Sequence, residues 1–126
     1  MIAYVTLGTN DLPRAAAFYD ALLAEIGAKR LWASETGIFW GLAMDKPALA
    51  VMKPYDKAPA THGNGSMVAL AVKHPEQVDA VYRKAIALGA QDEGPSGPRG
   101  DSFYIGYFRD PDGNKLAVFC MQKPAA

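Results

Sequence analysis

The chain carries an internal duplication, in which one order of sequence patterns occurs twice. Gly27-Ala28 closes the first apolar helical pattern, and Gly89-Ala90 closes a second one 62 positions later. Leu49-Ala50-Val51 recurs as Leu116-Ala117-Val118, 67 positions further along. A duplication of this kind predicts two similar units, and neither is large enough to cover both faces of a sheet by itself. The fold is therefore restricted to arrangements that pair two units.

Each copy is predicted to contain one strand, one helix and about three further strands. Apolar residues recur at three- and four-residue steps from Ala15 to Ile26, which indicates one buried helix face. Asp11 and Pro13 are typical of a helix start, and His74 is expected to begin the second helix in the same way. Strands are expected at residues 2–7, 29–33, 37–44, 48–52, 66–72, 103–108 and 115–121, with a Gly- and Pro-rich loop at 94–100.

These patterns predict an α+β fold of tandem βαβββ units that form a curved, mixed β-sheet bowl with flanking helices. The whole of residues 1–126 is expected to be one domain, with units at 1–53 and 66–126 and a linker loop at 54–65. The helix of each unit covers one face of its sheet. The other face must be covered by a ligand or by a partner unit, or must enclose a cavity.

Composition excludes several classes of protein. The chain has 13 basic and 13 acidic residues, so it lacks the basic face that nucleic acid binding requires. No apolar run approaches the roughly 20 residues needed to cross a bilayer, and the first residues do not resemble a signal peptide. The single cysteine, Cys120, cannot form an intrachain disulfide. We therefore expect a cytoplasmic protein with no nucleic acid or membrane partner.

Two motifs connect the chain with a known family. Asn10-Asp11-Leu12 precedes a helix rich in Ala, Phe and Tyr, and Asp110-Pro111-Asp112-Gly113-Asn114-Lys115-Leu116 precedes the last strand. With the duplication, these motifs resemble the vicinal oxygen chelate superfamily of glyoxalase I, fosfomycin-resistance enzymes, extradiol dioxygenases and bleomycin-resistance proteins. The chain is similar to the small bacterial glyoxalase-like members. The resemblance implies the glyoxalase/bleomycin resistance fold and a homodimer, which zero net charge permits.

The resemblance also locates the positions where enzymes of this superfamily hold a divalent metal through His and Glu side chains. Those positions fall on Val5 and Met67 in the first strands of the two units, and on Ala50 and Ala117 in the last strands. The repeat pairs Val5 with Met67 and Ala50 with Ala117. All four residues are apolar and unsuited to a hard cation. The sequence therefore predicts no metal and no other cofactor.

An apolar pocket is the expected consequence of this replacement. Each CH₂ group of a bound ligand contributes about 0.8 kcal/mol when it is buried there. Trp40, in preference to Trp32, is expected to stack on a planar ligand. Tyr107 is placed in the pocket as well. Strand alternation adds the following residues to the site face: Val5, Leu7, Ala50, Met52, Met67, Ala69, Ala117 and Phe119.

Three functions remain open on this evidence. The first is metal-free binding of a small hydrophobic or aromatic molecule, as in bleomycin-resistance proteins. The second is a glyoxalase-like lyase or isomerase, related to lactoylglutathione lyase, with displaced metal ligands or with acid–base chemistry by Tyr104, Tyr107 or His62. The stretch Asp101-Ser102-Phe103-Tyr104 resembles one in fosfomycin-resistance enzymes, where a tyrosine contacts substrate. The third is a structural domain with a filled pocket.

The remaining polar residues have simple interpretations. Cys120 has the opposite strand parity to Ala117 and is expected to face the helices. Arg99, Arg109 and Lys53 lie near loop or strand ends and could hold an anionic group of a ligand, although surface cations usually stay solvated.

Overall fold

A computed structural model describes residues 1–122, so residues 123–126, which end the second predicted unit, lie outside the described residues. The first unit runs β1 (Tyr4–Gly8), α1 (Leu12–Ala24), β2 (Lys29–Ala33), β3 (Gly37–Gly41) and β4 (Ala48–Met52). The second runs β5 (Val68–Ala71), α2 (Pro75–Ala87), β6 (Gln91–Arg99), β7 (Phe103–Arg109) and β8 (Lys115–Met121). None of the helices in residues 1–122 is long and apolar enough to cross a membrane.

The two units form two mixed sheets of the same topology. The strand order is β1-β4-β3-β2 in the first sheet and β5-β8-β7-β6 in the second. In each sheet the first strand of the unit pairs in parallel with the last, and the other pairs are antiparallel. The predicted α+β class of tandem βαβββ units is confirmed.

One hydrophobic core lies between the two sheets and contains both helices. Helix α1 packs on β2, β3 and β4, helix α2 packs on β6, β7 and β8, and the helices contact each other. No strand of the first sheet contacts a strand of the second in the described part of the chain. Residues from both units meet in this core, including Tyr19, Leu22, Val81 and Phe108. The sheet faces that carry no helix therefore point outward, and one chain alone does not enclose a bowl.

The helices begin where the sequence predicts. Asp11 caps α1, and its side chain accepts a hydrogen bond from the backbone N–H of Arg14 at 3.0 Å. His74 is the N-cap of α2, and its backbone N–H donates to Oε1 of Gln77. Gly27 and Gly89 follow the last turns with φ of 78° and 97°, a conformation that favours glycine.

The Asp110–Asn114 turn fastens the two units together. Oδ2 of Asp110, which is buried, accepts a hydrogen bond from the hydroxyl of Tyr19 on α1 at 2.6 Å. Asp112 accepts from the hydroxyl of Thr9 at 2.6 Å and from the backbone N–H of Asn10 at 2.9 Å. These bonds cross about a hundred residues of sequence. The motif from Asp110 to Leu116, on which the resemblance partly rests, thus has a structural use in this chain.

The expectation of a loop at residues 94–100 is wrong, because most of that segment belongs to β6. Gly94 and Gly97 pair with β7 through two register shifts, and Pro95 and Pro98 occupy an edge strand. Proline is tolerated there, since an edge strand needs only some of its N–H groups for the ladder. The predicted strands at 2–7 and 37–44 are also shorter in the structure, at Tyr4–Gly8 and Gly37–Gly41.

Candidate functional site

The face of the first sheet that points away from the helices, here the first open face, carries an aromatic cluster. The Phe39 ring contacts the Tyr4 ring at a centroid distance of 5.0 Å and the Trp32 ring at 5.6 Å, both edge to face. Tyr4 and Trp32 remain about half exposed, at 55% and 51%. Their side chains border a hollow of about 380 Å³, which Leu31, Met44, Lys46 and Ala48 also line. This surface suits a flat apolar ligand or a second apolar surface.

The corresponding face of the second sheet, here the second open face, is built from small residues around one tyrosine. Ala69 on β5 pairs with Ala117 on β8, Ala117 pairs with Tyr107 on β7, and Tyr107 pairs with Gly94 on β6. Directly paired residues share a face, so these four form one row. The next row contains Ala71, Phe119, Ile105 and Gly97. The Tyr107 ring therefore stands in a shallow apolar floor.

The predicted position of Ala50, Met52, Ala69, Ala117 and Phe119 on the open faces agrees with the strand register, but Ala50 and Ala117 are themselves buried in the single chain, at 0% and 1% exposed. Ala50 pairs with Phe39, and Met52 lies against Gly37. Met67, which is 45% exposed, directly precedes β5 and has the parity of Ala69. Whether any of these residues binds a ligand stays a prediction.

The predicted position of Val5 and Leu7 on the open face is wrong. Both side chains pack against the core, because Val5 pairs with Leu49 and Leu7 with Val51 on the helix side of the sheet. An error of one residue in a strand moves every side chain to the other face. Tyr4, which pairs with Ala48, is therefore the counterpart of Met67.

Trp40 also lies in the core, with only 1% of its surface exposed, so its predicted place in the pocket is wrong. Its indole N–H donates to Oδ1 of Asp20 at 2.8 Å. The bidentate bond from Arg30 lowers the pKa of Asp20, and the Trp40 bond acts in the same direction. Trp32 is the tryptophan on the open face. A bulge between Arg30 and Trp32 turns the Trp32 side chain to the open face, and the alternation of residues in the sequence does not reveal this bulge.

Two of the three candidate catalytic residues lie away from the open faces. Tyr104 turns toward α2, where its hydroxyl donates to Oδ1 of Asp79 at 2.8 Å, and this bond raises the pKa of Tyr104. A raised pKa makes the phenol a poorer acid, so its predicted catalytic role has no support. His62 lies against Gly113 in the β7–β8 turn. Tyr107 is the candidate that does face outward. Cys120, as expected, lies in the core, and burial raises the pKa of its thiol.

A second hollow, of about 1170 Å³, lies between the end of the first open face and residues 53–61. Thr6, Gly8 and Met52 line it from the sheet, and Tyr55 lines it from the loop. The side-chain amide of Asn10 fixes this loop, since it accepts from the Ala60 backbone N–H at 2.6 Å and donates to the Ala60 carbonyl at 3.1 Å. The loop is therefore tied to the start of α1.

The residues at the four metal positions do not fit a metal ion. With the corrected register these residues are Tyr4, Ala50, Met67 and Ala117, none of which supplies an imidazole or a carboxylate. Nor do residues 1–122 contain any other group of three or more His, Cys, Asp or Glu side chains placed to hold a metal.

The family model for the Glyoxalase/Bleomycin resistance protein/Dioxygenase superfamily matches residues 1–118. The chain belongs to this superfamily. A glyoxalase/bleomycin resistance protein from Albidiferax ferrireducens T118 has 39% sequence identity and a TM-score of 0.87, covering 94% of this chain and 97% of that one. The family suggested by the sequence motifs is confirmed.

More distant superfamily structures share the fold. A glyoxalase-related enzyme from Fulvimarina pelagi has 22% identity and a TM-score of 0.75, with 99% of both chains covered. A glyoxalase/bleomycin resistance protein/dioxygenase family enzyme from Burkholderia phytofirmans PsJN has 21% identity and a TM-score of 0.74, covering 93% of this chain and 95% of that one. A search of curated proteins found no match. One fold carries many activities, so function must come from the site.

Proposed function

We propose that this superfamily member binds a small hydrophobic or aromatic molecule in an apolar site that uses no metal. One observation carries the proposal: exposed apolar side chains, among them Tyr4, Met67 and Ala69, lie at and beside the positions where superfamily enzymes hold metal ligands. Such surfaces gain free energy by removing apolar ligand area from water. The cytoplasmic location expected from the sequence stays a prediction.

The binding unit in this proposal is a homodimer. One chain leaves two apolar sheet faces uncovered, with Tyr4, Trp32, Met67, Phe103 and Met121 between 41% and 65% exposed. In the proposed dimer, a twofold axis sets the first open face of each copy over the second open face of its partner, an arrangement that the shared topology of the two sheets allows. Both exposed surfaces are then covered at once, and no open face is left to which a third copy could add. The ligand site lies between the two faces.

The alternative functions have weaker support. A lyase or isomerase that uses acid–base chemistry rests on Tyr107, because Tyr104 and His62 lie elsewhere. Turnover of the hemithioacetal of methylglyoxal and glutathione, measured across divalent metals, tests that alternative directly. A structural domain with a filled pocket would leave no room for a ligand, so the probe titration described next also tests that alternative.

Ligand binding is tested by filling the site. Ala69 is exposed on the second open face, so Ala69→Trp adds an indole to the pocket without disturbing the core. Affinity for the neutral fluorescent probe N-phenyl-1-naphthylamine is expected to fall by about tenfold or more, since the probe loses its space. Fluorescence titration measures this affinity.

Ala24→Trp is the matched control, because Ala24 is an exposed alanine at the end of α1. This variant is expected to bind like the parent protein. Equal probe affinity in the Ala69→Trp and Ala24→Trp variants, or no probe binding by the parent, would contradict the proposed apolar site.

A further inference from the structure

The second open face contains a group of charges that an apolar site does not need. The guanidinium carbon of Arg99 lies 5.7 Å from the centroid of the Tyr107 ring, and Nζ of Lys115 lies 5.4 Å from it. Neither cation forms an ion pair with an acidic side chain in residues 1–122, whereas Arg109, on the same face, is paired with Glu93. The two cations approach the ring from β6 and from β8, the strands on either side of β7, so this part of the face is positively charged and favours an anionic group.

Arg99 is held in place by its own strand. One of its terminal nitrogens, Nη2, donates to the Pro95 carbonyl at 2.7 Å, and the other, Nη1, donates to the Pro98 carbonyl at 3.2 Å. The guanidinium lies back along β6 instead of extending into solvent. A cation that is fixed before binding loses less conformational entropy when it engages a ligand.

Two glycines make room for this arrangement. A Cβ atom on Gly94 would lie 3.1 Å from Cδ2 of Tyr107 and 3.5 Å from Nη2 of Arg99. A Cβ atom on Gly97 would lie 3.5 Å from Nη1 of Arg99. Gly94 also has φ of 153°, where other residues are strained. The backbone therefore admits both side chains close to β6.

We infer that Arg99, Lys115 and Tyr107 form an anion-binding subsite, so that the ligand is an aromatic or apolar molecule bearing a negatively charged group. The positive charge of Arg99 and Lys115 attracts the charged group to this end of the face, and the Tyr107 hydroxyl is available as a donor. The apolar body lies on the floor formed by Ala69 and Phe119. This inference rests on the proposed function, because it names the class of ligand for the same site.

Two probes with one aromatic body test the inference. 8-Anilinonaphthalene-1-sulfonate carries an anionic group that N-phenyl-1-naphthylamine lacks. The parent protein is expected to bind the anionic probe about tenfold more tightly. Both probes bury the same aromatic body, and only the anionic probe gains the attraction of the two cations as well. The preference is expected to shrink as salt is added, since partly exposed charges are screened. The competitors 1-naphthoate and 1-naphthyl phosphate then distinguish a carboxylate ligand from a phosphate ligand.

Arg99→Met and Lys115→Met are each expected to reduce the preference for the anionic over the neutral probe about threefold. Arg83→Met is the control, because it removes an exposed cation from α2. If the loss of the Arg99 hydrogen bonds disturbs β6, Lys115→Met still tests the subsite, because Lys115 lies on β8.

The outcomes separate the two proposals. Equal binding of both probes by the parent protein would overturn the anion subsite and leave the apolar site standing. An equal loss of anionic-probe affinity in Arg83→Met would also overturn it, because that loss reports net charge alone. Failure of the parent to bind either probe would overturn the proposed function and the anion subsite together.

Discussion

Tyr19 and Asp110 show how single residues join the two halves of this chain. Tyr19 is fully buried, and its hydroxyl satisfies a carboxylate that is itself only 5% exposed. Asp110 also accepts from the backbone N–H groups of Asp112 and Asn114, so it organises the turn and anchors α1 at once. A buried carboxylate needs such partners, since an unsatisfied one is costly. The acidic residues of the family motif are therefore explained without assigning them any role in binding.

Tyr19→Phe is expected to destabilise the protein by about 1–3 kcal/mol, because Oδ2 of Asp110 loses a donor in a buried place. Chemical denaturation at neutral pH measures the change in the free energy of unfolding. Tyr82→Phe is the matched control, because the Tyr82 hydroxyl bonds to Asp92 at an exposed site. A loss no larger than that of Tyr82→Phe would show that the Tyr19 bond is not important for stability.

The same residue predicts a loss of stability in alkali. Burial raises the pKa of Tyr19 well above 10.0, and the neighbouring charge of Asp110 adds to this effect. The neutral phenol is thus favoured in the folded chain, while the unfolded chain ionises near pH 10. Stability from Tyr19 is complete below about pH 10 and is lost as pH rises above it. Denaturation between pH 8 and about 11 is expected to show a shallower decline in Tyr19→Phe than in the parent. An equal decline of stability with pH in both proteins would show that ionisation of Tyr19 does not cause the loss.

At the scale of elements, the regular features of the sequence were predictive and the irregular ones were not. Both helices follow from apolar spacing and capping residues, because these local signals act within one or two turns. Strand β6 was missed because its glycines and prolines are typical of loops, and only pairing with β7 makes them a strand. The bulge before Trp32 likewise places its side chain on the opposite sheet face from the one that simple alternation predicts. Sheet irregularities depend on the neighbouring strand, which a local pattern does not contain.

The loop at residues 53–61 supplies a prediction at this scale. Its described attachment to α1 is the paired bond between Asn10 and Ala60. Asn10→Ala removes two exposed hydrogen bonds, so the loop should open more often. The rate of tryptic cleavage after Lys57 is therefore expected to rise several-fold. Limited proteolysis followed by mass spectrometry measures the rate. Asn64→Ala is the control, since the Asn64 side chain forms no hydrogen bond within residues 1–122. Unchanged cleavage in Asn10→Ala would show that the loop is held by other contacts.

At the scale of the whole molecule, the packing of the helices decides where the site can be. Because α1 and α2 share one core between the sheets, the two open faces cannot meet within a chain. The duplication predicts that two units must pair, yet it cannot tell whether they pair within one chain or between two. That choice depends on the contact between the helices and on the bonds from Asp110 and Asp112 to the first unit, all of which are long-range.

The dimer is the last consequence to test. Trp32→Lys places a charge in the aromatic cluster of the first open face, where burial by a partner would leave it without a counter-charge. The parent is expected to have twice the chain mass by light scattering, and Trp32→Lys is expected to shift toward the monomer. Ile86→Lys, at an apolar residue of α2 that is 36% exposed, is expected to stay dimeric. Because the proposed site needs both faces, dilution of the parent below its dimer dissociation constant should also release the bound probe. A monomeric parent that retains probe affinity at every concentration would contradict the shared site.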